Sequence, residues 1–308
     1  MDFIELLKAV VIGLVEGVTE WLPVSSTGHM IIVDDFITLH VSEAFWSLFL
    51  VVIQLGAILA VIILYFRRLN PFSPRKSLVQ RRTTLRLWAK VLVACVPAAV
   101  IGLLFDDWFE EHFFNAFTVA VALVAYGVAF IVIERIKAPA GRSPARVRGA
   151  HARAPRAGAG AGVDGRGSDP VGDVDRLGFG RALCVGLFQC LAIVPGTSRS
   201  GSTILGGRIL GISREAAAEF SFFLAIPVMF GWSLLKLVRA FLLDQIVLTP
   251  TEWGVFAVGI IVAFAVSVVA IKFLMGYIRQ HSFEAFGWYR IVLGAVVLGY
   301  FLITGQFV

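Results

Sequence analysis

Residues 44–66 read AFWSLFLVVIQLGAILAVIILYF, an unbroken run without a charged side chain. A helix of about 20 apolar residues crosses the hydrocarbon core of a bilayer. The rest of the chain has the same character, because 58% of its 308 residues are hydrophobic and 16% are charged. A soluble domain is nearer to roughly half apolar and a quarter charged. The composition therefore excludes a water-soluble enzyme and indicates a polytopic membrane protein.

Five further stretches are long and apolar enough to span a bilayer. One of them contains Pro227, which a membrane helix tolerates because neighbouring helices can satisfy the freed backbone groups. We predict an all-α polytopic membrane protein with six transmembrane helices. Besides 44–66, the predicted spans are 87–105, 116–133, 217–238, 253–273 and 288–306.

The charged loops predict an orientation. Segment 67–86 has seven basic residues and no acidic one, segment 105–115 has four acidic residues and no Lys or Arg, and segment 135–182 is basic again. Because positive charge accumulates on cytoplasmic loops, we expect both basic segments in the cytoplasm and both termini on the outer face. Of the 27 Lys and Arg residues, 14 fall in 67–86 and 138–176. This clustering argues against a nucleic-acid-binding surface, so we expect no nucleic acid partner.

Residues 138–176 differ from the rest of the chain. Most positions in this segment are Ala, Gly, Pro or Arg, and none is Leu, Ile or aromatic. Such a segment cannot bury enough apolar surface to offset its ordering entropy. We therefore predict a flexible cytoplasmic linker within a single integral-membrane domain, residues 1–308.

Two segments, 3–33 and 181–212, are apolar but interrupted by Gly, Pro, Ser and charged residues. When the segments are aligned with Ser198 opposite Ser25, five of 19 positions are identical. Each copy precedes a long apolar helix, and the predicted topology puts the copies on opposite faces. This arrangement is typical of an inverted repeat whose broken helices meet near the midplane and form the site there. The predicted repeats cover about residues 3–66 and 181–238.

Residues 13–29 read GLVEGVTEWLPVSSTGH. Glu16 and Glu20 are four residues apart, so on a helix they share one face and repel each other. A divalent cation would remove this repulsion, and Mg²⁺ commonly joins carboxylates to substrate phosphates; alternatively, both carboxylates are solvated at the membrane interface. After Pro23, three hydroxyls and His29 could act as nucleophile and proton carrier, or could form a helix cap with an interfacial histidine.

Residues 195–203 read PGTSRSGST, so Arg199 lies among five hydroxyls and two glycines just before a predicted helix. Glycine lets backbone N–H groups approach a ligand, a helix N-terminus favours anions, and the Arg fork suits phosphate oxygens. The alternative is a structural Arg that reaches to the membrane interface. Together the two segments predict a site for metal and phosphate. A lipid-linked phosphate is the expected substrate, because its tail can stay in the bilayer.

These motifs closely resemble those of a known family. Residues 17–29, GVTEWLPVSSTGH, and residues 195–201, PGTSRSG, resemble the two signature motifs of the undecaprenyl-diphosphatase family (undecaprenyl pyrophosphate phosphatase, bacitracin-resistance protein). Further resemblance lies at 52–56, VIQLG, and 218–222, AEFSF. It covers nearly the whole chain except 138–176, which is longer and richer in Arg, Ala and Gly than we expect for the family.

The resemblance implies hydrolysis of undecaprenyl diphosphate to undecaprenyl phosphate and inorganic phosphate. This reaction recycles the lipid carrier for peptidoglycan synthesis and confers bacitracin resistance. The family's fold has six transmembrane helices plus two re-entrant helical hairpins in an inverted-topology repeat. The resemblance also implies a multi-pass protein of the bacterial inner membrane, with its site open to the periplasmic face. The implied partners are a polyprenyl diphosphate lipid and membrane lipids.

Carried over residue by residue, the family's motifs imply roles for this chain. Glu16 and Glu20 would bind a divalent cation, Mg²⁺ or Ca²⁺, or would order the phosphates. Ser26 would be the nucleophile with His29 as proton donor or acceptor, although direct attack by water, with Glu20 or His29 as its base, fits the same residues. Arg199 would neutralise charge on the transferred phosphoryl group. The remaining phosphate contacts would be Ser25, Thr27, Ser198, Ser200 and Gly201.

A prenyl-phosphate flippase or transporter is the alternative function, because inverted repeats with broken helices are common in carriers. Such a protein also needs a phosphate site within the membrane, so Arg199 does not discriminate between the two functions. The carboxylate pair beside hydroxyls and a histidine favours chemistry, since a site that only binds gains little from anions near an anionic substrate. The sequence leaves the oligomeric state open.

Overall fold

The computed structural model describes residues 2–137 and 171–304. Within these ranges the chain is helical and forms no β-strand beyond a single bridge between Val171 and Ile212. The predicted all-α class is confirmed. The helices are α1 (Phe3–Thr19), α2 (Ser26–Phe36), α3 (Glu43–Leu64), α4 (Phe66–Leu69), α5 (Leu78–Phe113), α6 (Ala116–Ile136), α7 (Phe179–Cys190), α8 (Arg199–Ile209), α9 (Arg214–Val238), α10 (Pro250–Gln280) and α11 (Glu284–Thr304).

Six of these helices are long and apolar enough to cross a membrane, namely α3, α5, α6, α9, α10 and α11. The protein is therefore a multi-pass membrane protein, as predicted. Several helices extend beyond the predicted spans, because polar residues continue them past the apolar run. For α10, the Thr249 hydroxyl accepts the N–H of Glu252 at 3.2 Å, and the Glu252 carboxylate accepts the N–H of Thr249 at 2.7 Å. This capping box, with Pro250 in the first turn, begins the helix ahead of residue 253.

Two of the shorter helices, α1 and α7, pack against spanning helices from the other half of the chain. α1 packs against α10 and α7 packs against α5, whereas α3 contacts α9 and α10, and α6 contacts α11. α2 and α8 both contact α6. The two interrupted segments therefore meet beside this helix.

Gly186 lets α7 lie directly against α5. A Cβ atom at this position would overlap the carbonyl oxygen of Ala94. We expect Gly186→Ala to lower Tm clearly, because overpacking of this kind costs about 1–3 kcal/mol. Gly180→Ala on the same helix is the matched control, since nothing lies within 4 Å of the added methyl group. Equal Tm values for the two purified variants would contradict the close contact.

The predicted flexible linker, 138–176, extends too far at its C-terminal end. Residues 138–170 lie outside the described ranges. Val171, however, forms a β-bridge to the turn between α8 and α9, and Asp173 accepts a hydrogen bond from Arg68 at 2.8 Å. The prediction is wrong for this end of the segment because it treated the composition as uniform. At this end, the apolar residue Val171 pairs with Ile212 and the cation of Arg68 binds Asp173, and these contacts order the chain.

Candidate active site

Ser25 and Ser198 cap α2 and α8 in the same way. Their φ angles are 76° and 71°, and their hydroxyls accept the N–H groups of Gly28 at 3.3 Å and Gly201 at 3.1 Å. A positive φ is uncommon for residues other than glycine and persists only where the surrounding structure enforces it. The alignment of the two interrupted segments pairs these same caps. The two caps therefore have the same local geometry at positions that the alignment makes equivalent.

Glu20, Ser26 and Arg199 meet between the two segments. The Ser26 hydroxyl donates to Glu20 Oε2 at 2.9 Å, while Arg199 Nη2 and Nε donate to Glu20 Oε1 at 3.1 and 3.3 Å. Both charged side chains are nearly buried, with exposed fractions of 8% for Glu20 and 11% for Arg199. Separating a buried ion pair is strongly unfavourable. The carboxylate is therefore held with a hydroxyl on one oxygen and a guanidinium on the other.

Two further contacts fix the Arg199 guanidinium. Its Nη1 atom donates to the carbonyl oxygen of Ser221 at 2.9 Å. Its Cζ atom lies 5.6 Å from the centroid of the Trp21 ring, which is within cation–π range. The planar fork thus makes contacts in three directions, which an ammonium group on a flexible stem cannot do at once.

Glu16 lies one turn before Glu20 on α1 and is 2% exposed. Its Oε1 atom has no hydrogen-bond partner within the described ranges. A buried carboxylate oxygen without a partner is costly, and a divalent cation would satisfy it. Residues 2–137 and 171–304 contain no group of three or more His, Cys, Asp or Glu residues that could hold a metal. The two carboxylates fit a cation that takes its other ligands from phosphate and water, as Mg²⁺ commonly does.

His29 uses both ring nitrogens in contacts away from the Ser26 hydroxyl. Its Nδ1 lies 2.7 Å from the carbonyl oxygen of Ser25, and its Nε2 lies 2.7 Å from the hydroxyl oxygen of Tyr289. A carbonyl oxygen only accepts hydrogen bonds, so in the neutral ring Nδ1 carries the proton and Nε2 accepts from Tyr289. The group beside the Ser26 hydroxyl is therefore Glu20, whereas the resemblance gave the proton transfer to His29.

The other hydroxyls expected to bind phosphate differ in their surroundings. Ser25 and Ser200 are fully buried. The Ser25 hydroxyl caps α2, and the Ser200 hydroxyl donates to the carbonyl oxygen of Glu20 at 3.0 Å. Burial favours a structural role for both residues: Ser25 caps α2, and Ser200 joins the two segments. Thr27 and Ser198 are half-buried beside the cluster, and they are the better candidates for contact with a phosphate.

Arg290 on α11 lies outside the sequence motifs that predicted the site. This side chain is fully buried, and its Nη1 donates to the carbonyl oxygen of Pro23 at 3.3 Å. Its Nη2 donates to the carbonyl oxygens of Gly196 at 2.9 Å and Thr197 at 3.0 Å. A Cβ atom at Gly201 would stand 3.1 Å from Nη1, so a larger residue there would press on this contact. One guanidinium thus holds the loops of both segments together. The signal was a lone charge inside an apolar span, which marks a candidate functional residue.

Comparisons with known proteins show the family to which this chain belongs. The family model described as "Bacitracin resistance protein BacA" matches residues 9–296. The chain belongs to this family. Undecaprenyl-diphosphatase 1 of Clostridioides difficile (strain 630) is 50% identical over 303 residues, 98% of each chain. Undecaprenyl-diphosphatase of Enterococcus faecalis (strain ATCC 700802 / V583) is 49% identical over 304 residues, which are 99% of this chain and 100% of the relative. The family match includes residues 9–33 of the first interrupted segment, all of the second segment and Arg290.

Proposed function

We propose that this protein is an undecaprenyl-diphosphatase, which is the name its relatives carry. It hydrolyses undecaprenyl diphosphate to undecaprenyl phosphate and inorganic phosphate, recycles the lipid carrier of peptidoglycan synthesis and confers bacitracin resistance. The observation that carries this proposal is the contact of Glu20 with Ser26 on one side and Arg199 on the other. A hydroxyl, a base for its proton and a cation for phosphate oxygens are thereby brought into one cluster.

The geometry supports a two-step transfer. Ser26 Oγ attacks the terminal phosphorus while Glu20 takes the hydroxyl proton. The bond from that phosphorus to the bridging oxygen breaks, and undecaprenyl phosphate leaves with the electron pair. Water then attacks the phosphorus of the phosphoserine, and the bond from this phosphorus to Ser26 Oγ breaks. The proton held on Glu20 returns to Oγ, and inorganic phosphate leaves with the protons of the water. Arg199 neutralises charge on the phosphoryl oxygens in both steps.

Ser26→Ala tests this assignment of the nucleophile. We expect kcat to fall on the order of 10³-fold or more, because no phosphoserine can form. Acid quenching of the wild-type protein during turnover, with substrate labelled in the terminal phosphate, should leave label on the peptide that contains Ser26. Substantial turnover by the variant, without labelled peptide in the wild type, would mean that water attacks directly with Glu20 as its base.

A divalent cation, Mg²⁺ or Ca²⁺, is part of the proposal. Glu16 and Glu20 would hold it, and the unpartnered Oε1 of Glu16 is the supporting observation. A bound cation would neutralise charge on the diphosphate oxygens. His29 is the proposed proton carrier for the leaving group, since its Nε2 contacts the hydroxyl of Tyr289, a side chain that is 48% exposed.

We also propose that α1–α2 and α7–α8 are re-entrant hairpins in an inverted-topology repeat. At 17 and 12 residues, α1 and α7 reach about 26 and 18 Å at 1.5 Å per residue, which is less than the hydrocarbon thickness of about 30 Å. The packing pairs support the repeat. In this repeat α1 corresponds to α7, α3 to α9, α5 to α10 and α6 to α11. Exchanging corresponding helices turns the α1–α10 pair into the α7–α5 pair, and both contacts occur. The α3–α9 and α6–α11 pairs map onto themselves.

The proposed location is the bacterial inner membrane, with the site open to the periplasmic face. The charge of the loops supports this orientation, because segment 67–86 holds seven basic residues and no acidic one. Such a loop belongs in the cytoplasm. The lipid substrate then keeps its tail in the bilayer while its diphosphate reaches Arg199.

Analysis of the lipid product separates the proposal from the alternative flippase. Purified protein is incubated with vesicles that contain undecaprenyl diphosphate, and the lipids are extracted and weighed by mass spectrometry. We expect a product lighter by one phosphate group. Transfer of intact diphosphate between leaflets, without the lighter product, would favour the flippase.

Arg290→Lys tests whether Arg290 positions the two segments. We expect kcat/KM to fall about 10–100-fold, because loss of a hydrogen bond to a charged group costs about 1.5–3 kcal/mol. The loss should appear mainly in kcat, since the substrate would still bind while the two segments shift apart. Arg135→Lys, a surface position with 62% of its side chain exposed, serves as the control. Unchanged kcat for a folded Arg290→Lys variant would contradict the positioning role.

A further inference from the structure

A cavity of about 670 Å³ lies between α4, the turn that follows it and the first turns of α5. It lies outside the cluster around Glu20. Four cations and one carboxylate line its wall: Arg67, Arg68, Arg75, Lys76 and Asp175. A cavity with this lining is suited to an anion.

Charge within the wall is only partly balanced. Arg68 donates to Glu219 at 2.6 Å and to Asp173 at 2.8 Å, so its charge is already neutralised. Arg67 and Arg75 are exposed and form no ion pair with a residue in the described ranges. The cavity therefore presents two cations whose charge an incoming anion would meet.

Lys76 adds a donor on the inner side of the cavity. Its ammonium group donates to the carbonyl oxygen of Arg68 at 2.8 Å and to the hydroxyl of Thr84 at 2.7 Å. An ammonium group has three N–H donors, so one remains for a ligand. Burial lowers the pKa of Lys76, and a nearby anion would favour its charged form. Ser73 also lines this cavity.

Exposed apolar side chains surround the basic lining of the cavity. Phe72 is 82% exposed and Leu78 is 74% exposed, and Phe66 and Val79 are also exposed. Large exposed apolar side chains beside basic residues are typical of the level where lipid headgroups meet acyl chains. The cavity also lies at the ends of the spanning helices α3 and α5, where this level is expected.

We propose that this cavity binds the phosphate headgroup of an anionic phospholipid from the surrounding leaflet. Arg67 and Arg75 bond the phosphate oxygens, Lys76 closes the inner side, and the acyl chains lie against Phe66 and Phe72. Basic pockets between transmembrane helices are known to bind anionic headgroups in this manner. Free phosphate offers the same oxygens, but it leaves the apolar rim uncovered.

Lipid retention by the purified full-length protein tests the proposal. The protein is reconstituted in nanodiscs of phosphatidylcholine with increasing phosphatidylglycerol, and native mass spectrometry counts the phosphatidylglycerol that stays bound after release. The test variant carries Arg67→Gln and Arg75→Gln. The matched control carries Arg82→Gln and Arg86→Gln, which remove the same charge from exposed positions of α5 that do not line the cavity.

We expect the test variant to bind phosphatidylglycerol about tenfold more weakly than the wild type, and the control to change less than twofold. Both variants should keep the wild-type Tm. Equal weakening in the two variants would show only general attraction to an anionic leaflet and would overturn the proposal. Displacement of the lipid by inorganic phosphate at equal concentration would overturn it as well, because the site would then recognise free phosphate. Phosphatase activity does not enter the readout, so the outcome is independent of the proposed reaction.

Discussion

Arg199→Lys is expected to lower kcat on the order of 10²–10³-fold, the size of effect seen when one donor to a developing oxyanion is removed. Arg199 contacts the Glu20 carboxylate, the carbonyl oxygen of Ser221 and the face of Trp21. A lysine keeps the charge but has one nitrogen in place of three. It therefore cannot hold Glu20 and offer a paired contact to a phosphate at the same time. Steady-state phosphate release by the purified variant measures the effect.

Arg208→Lys is the matched control for this prediction. Arg208 lies on the same helix, α8, and its buried guanidinium donates to Glu134 at 2.7 Å. The two substitutions therefore disturb similar buried ion pairs, one within the candidate site and one outside it. We expect both variants to lose thermal stability and only Arg199→Lys to lose kcat. Similar kcat losses in both variants would mean that Arg199 acts through folding alone.

Glu20→Gln is the second prediction with a large effect. The amide keeps the shape of the carboxylate but cannot take a proton from Ser26, and it leaves the buried guanidinium of Arg199 without its counter-charge. A positioned base contributes roughly 10²–10⁴-fold to the rate. We therefore expect kcat to fall by about this factor or by more. Steady-state phosphate release by the purified variant measures the loss.

Glu5→Gln provides the comparison for Glu20→Gln. Glu5 lies on α1, is 2% exposed and accepts a hydrogen bond from Lys8 at 2.8 Å. It is a buried, paired carboxylate on the helix that Glu20 directly follows, but it contacts neither Ser26 nor Arg199. We expect its replacement to reduce Tm while kcat stays close to the wild-type value. Retained activity in Glu20→Gln would exclude Glu20 as the base.

The fold could be predicted from the sequence where one property decides it. Runs such as 44–66 are long and apolar enough to indicate a helix within the bilayer, and the six spans follow from such runs. Their ends could not be predicted in the same way, because a helix end depends on individual caps such as the one formed by Thr249 and Glu252. The ordered conformation of residues 171–176 was not predicted for a related reason. This segment contacts Arg68, which lies in the other half of the chain.

The site was predictable in its motifs but not in its contacts. Glu20 and Arg199 stand in two short motifs whose residue types pointed to them. The family resemblance, rather than spacing, pointed to Ser26 among the three hydroxyls that follow Pro23. Tyr289, the partner of His29, and Arg290, which holds both loops, lie on the last helix in a span with no polar motif around them. Their contacts arise only when α11 packs beside α2 and α6. Composition carries no information about such distant pairs, although a single arginine in an apolar helix was a usable signal.

Phosphate release from undecaprenyl diphosphate by the purified wild-type protein is the most direct test of the central claim. The assay is run with a divalent cation, with a chelator, and after the cation is restored. We predict one inorganic phosphate for each undecaprenyl phosphate formed, loss of release with the chelator, and recovery when Mg²⁺ or Ca²⁺ is added back. Release that persists unchanged in the chelator would contradict the role given to Glu16 and Glu20 in holding a cation. No release by folded protein with any of several divalent cations would contradict the phosphatase itself.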